Sequence, residues 1–245
     1  AQRGAGALAL LGLLGLWQAA SSAGLVSPIF APSPFDVGRA LWAMLQSGEL
    51  AAHVAASLGR FLSGFAIGGT AGVAFGLAVG LSSVMRAPGA TVVAALFPIP
   101  KIALLPLFIL WFGIGEASKV ATIAFGTFFP TVIATYGAVD NVDRSLVRMG
   151  RSFALSPAAI VAKIILPGAV PGILSGLRIA ASIGVVLLVA AEMIGAEQGL
   201  GALVLAAGNL MQSDRLLAGV VVLSMLGLLI AAFIGAVERH LLRWR

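Results

Sequence analysis

The chain has 245 residues, of which 60% are apolar and only 10% are charged, and its mean hydropathy is +1.08. A soluble domain carries about 25% charged residues, so this composition excludes a water-soluble protein and indicates a bilayer as the solvent. The net charge of +6 does not indicate a nucleic-acid partner, because the basic residues lie between apolar runs, where they set membrane topology. No cysteine is present and the two histidines are far apart, so the sequence predicts no metal site, disulfide or catalytic residue.

Six apolar runs are long enough to cross a bilayer, which takes about 20 residues. They are 4–26, 61–85, 87–115 with Lys101 inside it, 120–139, 179–191 with extensions on both sides, and 216–237. The predicted fold is an all-α integral membrane protein with about six transmembrane helices. We expect 1–245 to form a single membrane domain, in which 1–60 holds the first span and an outer segment and 61–245 forms the core.

The distribution of basic residues predicts the orientation of these spans. Positive charge is retained on the cytoplasmic side of a membrane. Six spans with both termini inside place four basic residues outside, which are Arg39, Arg60, Lys119 and Arg215. Ten lie in the cytoplasm, which are Arg3, Arg86, Arg144, Arg148, Arg151, Lys163, Arg178, Arg239, Arg243 and Arg245. The sequence therefore favours cytoplasmic termini. The alternative, a cleaved signal peptide ending near Ser21-Ser22-Ala23, is less favoured because the first apolar run is longer than a usual signal core.

A short amphipathic segment follows the first span. Pro32-Ser33-Pro34 leads into a stretch with Val37, Leu41, Met44 and Leu45 on one helical face and Asp36 near its start. It predicts a helix on the outer membrane surface, and the alternative is a connector without a further role.

The second span carries a glycine at every fourth position. These are Gly64, Gly68, Gly72, Gly76 and Gly80. Glycines at this spacing form a groove along the helix, so that another helix can approach backbone to backbone and associate in lipid. The pattern predicts helix packing, and leaves open whether the partner helix belongs to this chain or to another.

Two ionisable residues lie deep within predicted spans, Lys101 and Glu192. Each should face protein or water, because a charge in lipid is costly. Lys101 follows Pro98-Ile99-Pro100, where a helix must kink or break, and freed backbone groups at such breaks often line transport paths. We expect Pro98, Pro100, Lys101 and Glu192 to lie near a translocation path for an anion. The alternatives are that Lys101 pairs with Glu192 or reaches an interface, and that Glu192 only holds the fifth span.

Residues 140–178 form the longest cytoplasmic loop. Ser156-Pro157 is a good helix start, since serine caps free amides and proline fits the first helical position. The predicted helix runs through Ile165 and ends before Pro167, and a second break is expected at Pro171-Gly172. Ile160, Ile164 and Ile165 share one face, which should dock on another surface.

This loop resembles that of the permeases of binding-protein-dependent ABC importers. Their pattern is Glu-Ala-Ala, three residues, Gly, nine residues, Ile, one residue, Leu-Pro. Ile164, Leu166 and Pro167 match its end, while Arg148 stands at its glutamate and Ala154 at its glycine. The stretches 98–107 and 111–115, together with Ala191-Glu192-Met193-Ile194-Gly195, resemble the nitrate, sulfonate and taurine branch of that family.

The resemblance implies a permease of the type I importer fold in a bacterial inner membrane. It implies as partners a second copy of the chain, two cytoplasmic ATPase subunits that bind ATP and Mg, a periplasmic or lipid-anchored solute-binding protein and membrane lipid. The carried solute would be a small anion of the sulfonate, taurine, nitrate or carboxylate type. The residues implied to couple the chain to the ATPase are Arg148, Gly150, Ala154, Ser156, Pro157, Ala158, Ile160, Lys163, Ile164, Leu166 and Pro167.

Other functions find less support in the sequence. No lysine follows glycine in a phosphate-binding loop, so ATP hydrolysis must occur on a partner. A secondary transporter driven by an ion gradient is the alternative, but it would need acidic residues in several spans, and only Glu192 lies deep in one. An intramembrane enzyme would need paired carboxylates or a nucleophile elbow, and the sequence has neither.

Overall fold

A computed structural model describes residues 2–27 and 29–242, without the side chains of residues 2–8 and 10. All regular secondary structure in these ranges is helical. The helices are α1 (Gln2–Ser22), α2 (Pro34–Gln46), α3 (Glu49–Leu81), α4 (Ser83–Leu96), a 3₁₀ turn (Lys101–Leu104), α5 (Leu105–Phe112), α6 (Glu116–Asp140), α7 (Arg144–Ser152), α8 (Pro157–Ile160), a π-helical turn (Val161–Ile165), α9 (Leu166–Met193), α10 (Leu200–Asn209) and α11 (Ser213–Leu241).

Four helical stretches in the described chain are long and apolar enough to cross a membrane, or five if a bent pair counts as one span. They are Glu49–Leu81, Glu116–Asp140, Pro157–Met193 and Ser213–Leu241, with Ser83–Leu96 and Lys101–Phe112 as the bent pair. The predicted first span coincides with α1, some of whose side chains are not described. α1 is not among the four or five membrane-crossing stretches. The second span is longer at its start than predicted, because the charged residues Glu49 and Arg60 continue the helix.

The predicted break within the third span is confirmed. α4 ends at Leu96, and the helix resumes with the 3₁₀ turn at Lys101, bent by 85°. Proline has no N–H to donate and disfavours a helical conformation of the residue before it, so Pro98 and Pro100 end the helix here. The break places Lys101 at the start of the second half.

The chain divides into two compact units whose boundaries fall inside α3, α9 and α11. The first unit is Ala1–Leu58 with Glu192–Leu226. In it, α2 has the predicted helical start: Ser33 Oγ accepts a hydrogen bond from the Asp36 amide at 3.2 Å, and the Asp36 carboxylate accepts from Ser33. Of the residues on its predicted apolar face, Val37 and Met44 are buried, Leu41 is half-buried, and Leu45, about 100° around the helix from Met44, is exposed.

The second unit is Gly59–Ala191 with Gly227–Arg245. α6 lies at its centre, and the glycine groove of α3 packs against it, which identifies the partner helix that the sequence left open. The residue of α6 opposite each glycine lies 59 positions later, as Gly64 faces Ile123, Gly72 faces Thr131 and Gly80 faces Val139. A constant offset means that α3 and α6 run parallel.

A second row of glycines, on α9, packs against α6 and the turn that follows it. A Cβ on Gly168 would meet Val142, one on Gly172 would meet Ala138, and one on Gly176 would meet Ala134. The two residue numbers in each pair have a constant sum, so α9 runs antiparallel to α6. Because both grooves allow close backbone approach, α6 is held by van der Waals contact along most of its length.

Candidate functional site

Helix α7 begins the loop between α6 and α9, and sequence reasoning missed it. Asp143 caps its start: Oδ1 accepts hydrogen bonds from Ser145 Oγ at 2.6 Å and from the Ser145 amide at 2.8 Å. These two bonds lower the pKa of the Asp143 carboxyl, because they stabilise its charged form. The sequence did contain a signal for this helix, because Asp143, a residue type that commonly caps helix starts, precedes a polar helix-forming run.

The exposed surface of α7 divides into two opposite stripes. Arg144, Arg148 and Arg151 are exposed along one side. The opposite side carries three large apolar side chains, Leu146, Met149 and Phe153, which are 45%, 51% and 75% exposed. An exposed apolar stripe of this kind is typical of a surface that binds another protein.

Gly150 holds α7 against the following helix. It is buried, and a Cβ there would lie 2.8 Å from Ile164 Cδ1 and 3.4 Å from Ile160 Cγ1. A larger residue would have to displace the Ile164 Cδ1 atom, whereas its distance to Ile160 would be an ordinary contact. Gly150 therefore makes α7 and the segment after it one packed body.

Ala154 turns the chain between α7 and α8 in a left-handed conformation, with φ of 55°. The Leu155 amide donates to the Gly150 carbonyl at 3.1 Å and the Ala154 amide to the Arg151 carbonyl at 2.9 Å. This is the Schellman ending of a helix, at a position where glycine is usual. The importer pattern has glycine at the position of Ala154, so the turn itself is consistent with that alignment.

The predicted helix start at Ser156-Pro157 is confirmed. Ser156 Oγ accepts from the Ala159 amide at 3.3 Å, and Pro157 occupies the first turn, followed by Ala158. The predicted end before Pro167 is wrong. α8 passes through the π-helical turn Val161–Ile165 into α9, which starts at Leu166 and continues through Pro171.

The π-helical turn explains how the helix passes Pro167. The Leu166 amide donates to the Val161 carbonyl, five residues back, so the chain is already widened where Pro167 has no N–H to offer. The segment from Ser156 to Pro167 is the first part of a long helix, and Lys163 is exposed on it.

The isoleucine face of this segment docks on the chain itself. Ile160 is buried, and Ile164 and Ile165 pack against the cluster of Val139, Val142 and Ala169. The face that the sequence predicted to dock is therefore occupied, and the exposed apolar surface of the loop is the stripe on α7.

Lys101 lies against aromatic rings in the second unit. Its ammonium donates to the Phe97 carbonyl, and it lies 4.6 Å from the Phe97 ring centroid and 5.5 Å from that of Phe129. Both contacts are favourable for a cation. Lys101 is partly exposed.

Glu192 lies in a buried polar network of the first unit. Its carboxylate accepts from Ser57 Oγ at 2.8 and 2.9 Å and from the Gly201 amide at 2.9 Å. The same Ser57 oxygen accepts from the Leu200 amide at 2.8 Å. These bonds satisfy the first amides of α10, which have no partner within the helix. These bonds support the alternative interpretation, in which Glu192 holds the fifth span in place and does not line a translocation path.

Two further buried charges were not predicted. Arg60 and Lys119 were expected in outer loops but are only 5% and 4% exposed. Arg60 binds Glu116 through Nε and Nη2, each at 2.6 Å, and Lys119 donates to the Gly115 carbonyl at 2.9 Å. In the sequence, both residues lie beside apolar runs, and this position is equally typical of a charged residue in an exposed loop.

Comparison with known proteins identifies the family. The model of the family described as "Binding-protein-dependent transport system inner membrane component" matches residues 64–243. The chain belongs to this family. The permease predicted from the loop pattern is thereby confirmed, and among the alternatives a secondary transporter is not favoured.

Several relatives of this permease are similar over nearly the whole chain. A protein of Escherichia coli (strain K12) named as an aliphatic sulfonates transport permease, SsuC, is 43% identical over 96% of this chain and 89% of its own length. The taurine transport system permease protein TauC of the same strain is 36% identical over 95% and 86%. The riboflavin transport system permease protein RibX of Chloroflexus aurantiacus is 34% identical over 96% and 88%.

Solved structures agree on the fold of the permease. The MetNI methionine ABC transporter, in an inward-facing conformation, has a chain that aligns with a TM-score of 0.70 at 21% identity, over 81% of this chain and 98% of that one. An amino acid ABC transporter with histidines gives 0.59 at 14% identity, over 84% and 98%. The predicted all-helical importer fold is confirmed.

Proposed function

We propose that this permease forms the membrane path of an ATP-driven importer for a small anion of the sulfonate or taurine type, with nitrate or carboxylate as less favoured classes. The observation that supports the solute class most directly is the similarity to the sulfonate and taurine permeases over nearly the full chain. The partly exposed ammonium of Lys101 at a helix break supports an anion.

The proposed partners are a second copy of the chain, two ATPase subunits that bind ATP and Mg, a solute-binding protein and membrane lipid. The distribution of basic residues in the sequence favours an arrangement with both termini in the bacterial cytoplasm. The loop between α6 and α9 then faces the ATPase. It carries the exposed stripe of Leu146, Met149 and Phe153 that a partner groove would cover.

Coupling to the ATPase is proposed to pass through α7. The packing of Gly150 against Ile160 and Ile164 joins α7 to the start of the long helix that continues as α9. Movement of α7 with a closing ATPase dimer would therefore move α9 as a lever, and the spans would alternate between inward- and outward-open states. Arg148, exposed on the opposite stripe, would meet an acidic residue of the ATPase in place of the usual glutamate contact.

Reconstitution tests this function. The permease is incorporated into proteoliposomes with its ATPase and its solute-binding protein, and uptake of labelled alkanesulfonate is measured with ATP inside. We expect uptake that requires ATP and the binding protein and that continues in the presence of a protonophore. Uptake without ATP that a protonophore abolishes would instead establish a secondary transporter.

Arg148→Glu gives a second test, directed at the loop. We expect impaired coupling, with ATP hydrolysis no longer stimulated by loaded binding protein, and recovery when an acidic residue on the ATPase is reversed in charge. Unaltered transport in Arg148→Glu would remove Arg148 from the contact.

A further inference from the structure

Three successive amides at the start of α10 donate to side chains of other helices in the first unit. The amides of Leu200 and Gly201 donate into the buried network of Glu192. The amide of Gly199, in the turn before the helix, donates to His53 Nδ1 on α3 at 3.0 Å. The first amides of a helix have no acceptor within it, so these bonds fix where α10 begins.

His53 holds Gly199 through an atom that can bind a proton. Histidine commonly changes its protonation state between about pH 5 and 8. A backbone N–H can only donate, so Nδ1 accepts the Gly199 bond while it carries no proton. The Gly199 carbonyl lies 2.9 Å from the same nitrogen. Because both ring nitrogens of a protonated histidine are donors, protonation of His53 exchanges the amide of Gly199 for its carbonyl.

The backbone around α10 is suited to respond to this exchange. Gly199 is buried, and a buried donor that loses its acceptor is unfavourable. Its φ of 137° and ψ of 157° lie in a region that is essentially restricted to glycine. Met211, just after the helix, is also left-handed, with φ of 56°. A helix of only ten residues between two such turns can shift when one of its bonds is lost.

The surroundings of His53 allow its ring to become charged. It is partly exposed and lines a cavity of about 270 Å³, so protons from water can reach it. The charged residues that line the same cavity are Glu49 on α3, Glu197 after α9 and Arg215 on α11, and Arg215 is paired with Glu49. α10 contains no charged residue, and the nearby Glu192 carboxylate is hydrogen-bonded in its own network. Two carboxylates and one guanidinium are compatible with a protonated ring.

We propose that His53 is a proton-operated switch that sets how firmly α3 holds the start of α10. With the ring neutral, the Gly199 amide is bonded and α10 is fixed. With the ring protonated, this bond is lost and the start of α10 loosens. The switch goes beyond the proposed function, and only its compartment rests on that function, because the orientation proposed there places this contact at the outer membrane surface.

Amide hydrogen exchange measures the switch in the intact permease, reconstituted in nanodiscs of phosphatidylcholine. Exchange of residues 199–203 is followed by mass spectrometry from pH 8 to pH 5 and is corrected for the pH dependence of the chemical exchange rate. We expect the protection of the Gly199 amide to fall about tenfold over this range, the effect of leaving a buried donor without its acceptor. Residues 127–135 of α6, which are held by helical bonds, report any general loss of stability.

Two substitutions fix the state of position 53, and a third is the matched control. His53→Asn places an amide oxygen near the position of Nδ1 and does not titrate, so protection should stay high at pH 8 and pH 5. His53→Lys carries a charge and no acceptor, so protection should be low throughout. His240→Asn removes the other histidine of the chain, exposed near the end of α11, and should retain the pH dependence.

Two results would overturn the proposal. One is a fall in protection that persists in His53→Asn, which would assign the pH dependence to a carboxylate, with Glu192 the first candidate. The other is constant protection of Gly199 from pH 8 to pH 5 in the unmodified permease. If His53→Asn also lost protection in α6, Glu192→Gln would decide, because the proposal requires the pH dependence to remain in that variant. None of these measurements involves transport, so failure of the switch and failure of the proposed function are distinguishable.

Discussion

The contact between Gly68 and α6 leaves no room for a methyl group. A Cβ on Gly68 would lie 2.2 Å from the Ala124 carbonyl oxygen and 2.2 Å from Thr127 Oγ1, whereas ordinary van der Waals contact begins at 3.4 Å. Gly68→Ala therefore forces α3 and α6 apart by about 1 Å at this level. The carbonyl belongs to the backbone and cannot rotate away, so the whole interface must respond.

The magnitude follows from two opposing terms. Overpacking of a well-packed interface costs about 1–3 kcal/mol, and separation of the helices places the cost at the upper end. Replacing glycine by alanine inside a helix contributes about 1 kcal/mol in the opposite direction. We expect Gly68→Ala to destabilise the permease by about 1–2 kcal/mol.

Gly137→Ala is the matched control, because a Cβ at Gly137 in α6 meets nothing within 4 Å. It should stabilise by up to about 1 kcal/mol. Reversible unfolding in mixed detergent and SDS micelles, followed by tryptophan fluorescence, measures both changes. Gly80→Ala should cost less than Gly68→Ala, because its Cβ would meet only the Val139 side chain, at 2.9 Å. Equal effects of the Gly68 and Gly137 variants would refute the assignment of the groove to α6.

The other predictions concern the loop with α7. Ala154→Gly should stabilise the permease by about 0.5–1 kcal/mol in the same unfolding assay, since it relieves a left-handed alanine, whereas Ala159→Gly should destabilise by about 1 kcal/mol; a loss of stability in Ala154→Gly would contradict the turn. Asp143→Asn should destabilise at neutral pH, because a carboxyl whose pKa is lowered in the folded state contributes stability above its usual pKa. The difference should vanish as the pH falls through and below the lowered pKa, and a difference independent of pH would exclude a contribution of the Asp143 charge. Met149→Glu should abolish co-purification of the ATPase, while Ser152→Glu, which adds the same charge beside the apolar stripe, should retain it; retention by both would remove the stripe from the interface.

The glycine row of α3 could be read from the sequence, but its partner could not. Spacing alone shows that a groove exists, because a four-residue repeat lies on one side of a helix. The partner was hidden because α6 presents Ile123, Thr131 and Val139, β-branched residues that also occur on lipid-facing surfaces. Only the constant offset between the two helices in three dimensions identifies the pair.

The cytoplasmic loop shows a different limit of sequence reasoning. Ser156-Pro157 predicted the helix start because capping is local. The continuation through Pro167 could not be predicted, because it depends on the π-helical turn before that residue and on the packing of Ile164 and Ile165 beneath it. Tertiary contacts overcame the local preference of proline.

The candidate path was predicted in part. The break around Pro98 and Pro100 follows from the chemistry of proline, and Lys101 was recognisable as a charge inside a span. The roles of Arg60 and Lys119 were missed, because burial of a charge at the end of a span depends on neighbours that lie far away in the sequence.

The interface between α3 and α6 repeats along its length. Glycines on α3 meet Ile123, Thr127, Thr131, Thr135 and Val139, which are all β-branched and again four residues apart. A slide of α6 by four residues, about 6 Å along the axis, would restore the same glycine-to-branched pairing one step further. Intermediate positions would set branched side chains against α3 residues larger than glycine. Any axial sliding of this span thus has discrete resting positions separated by barriers, and small displacements are returned to the starting position.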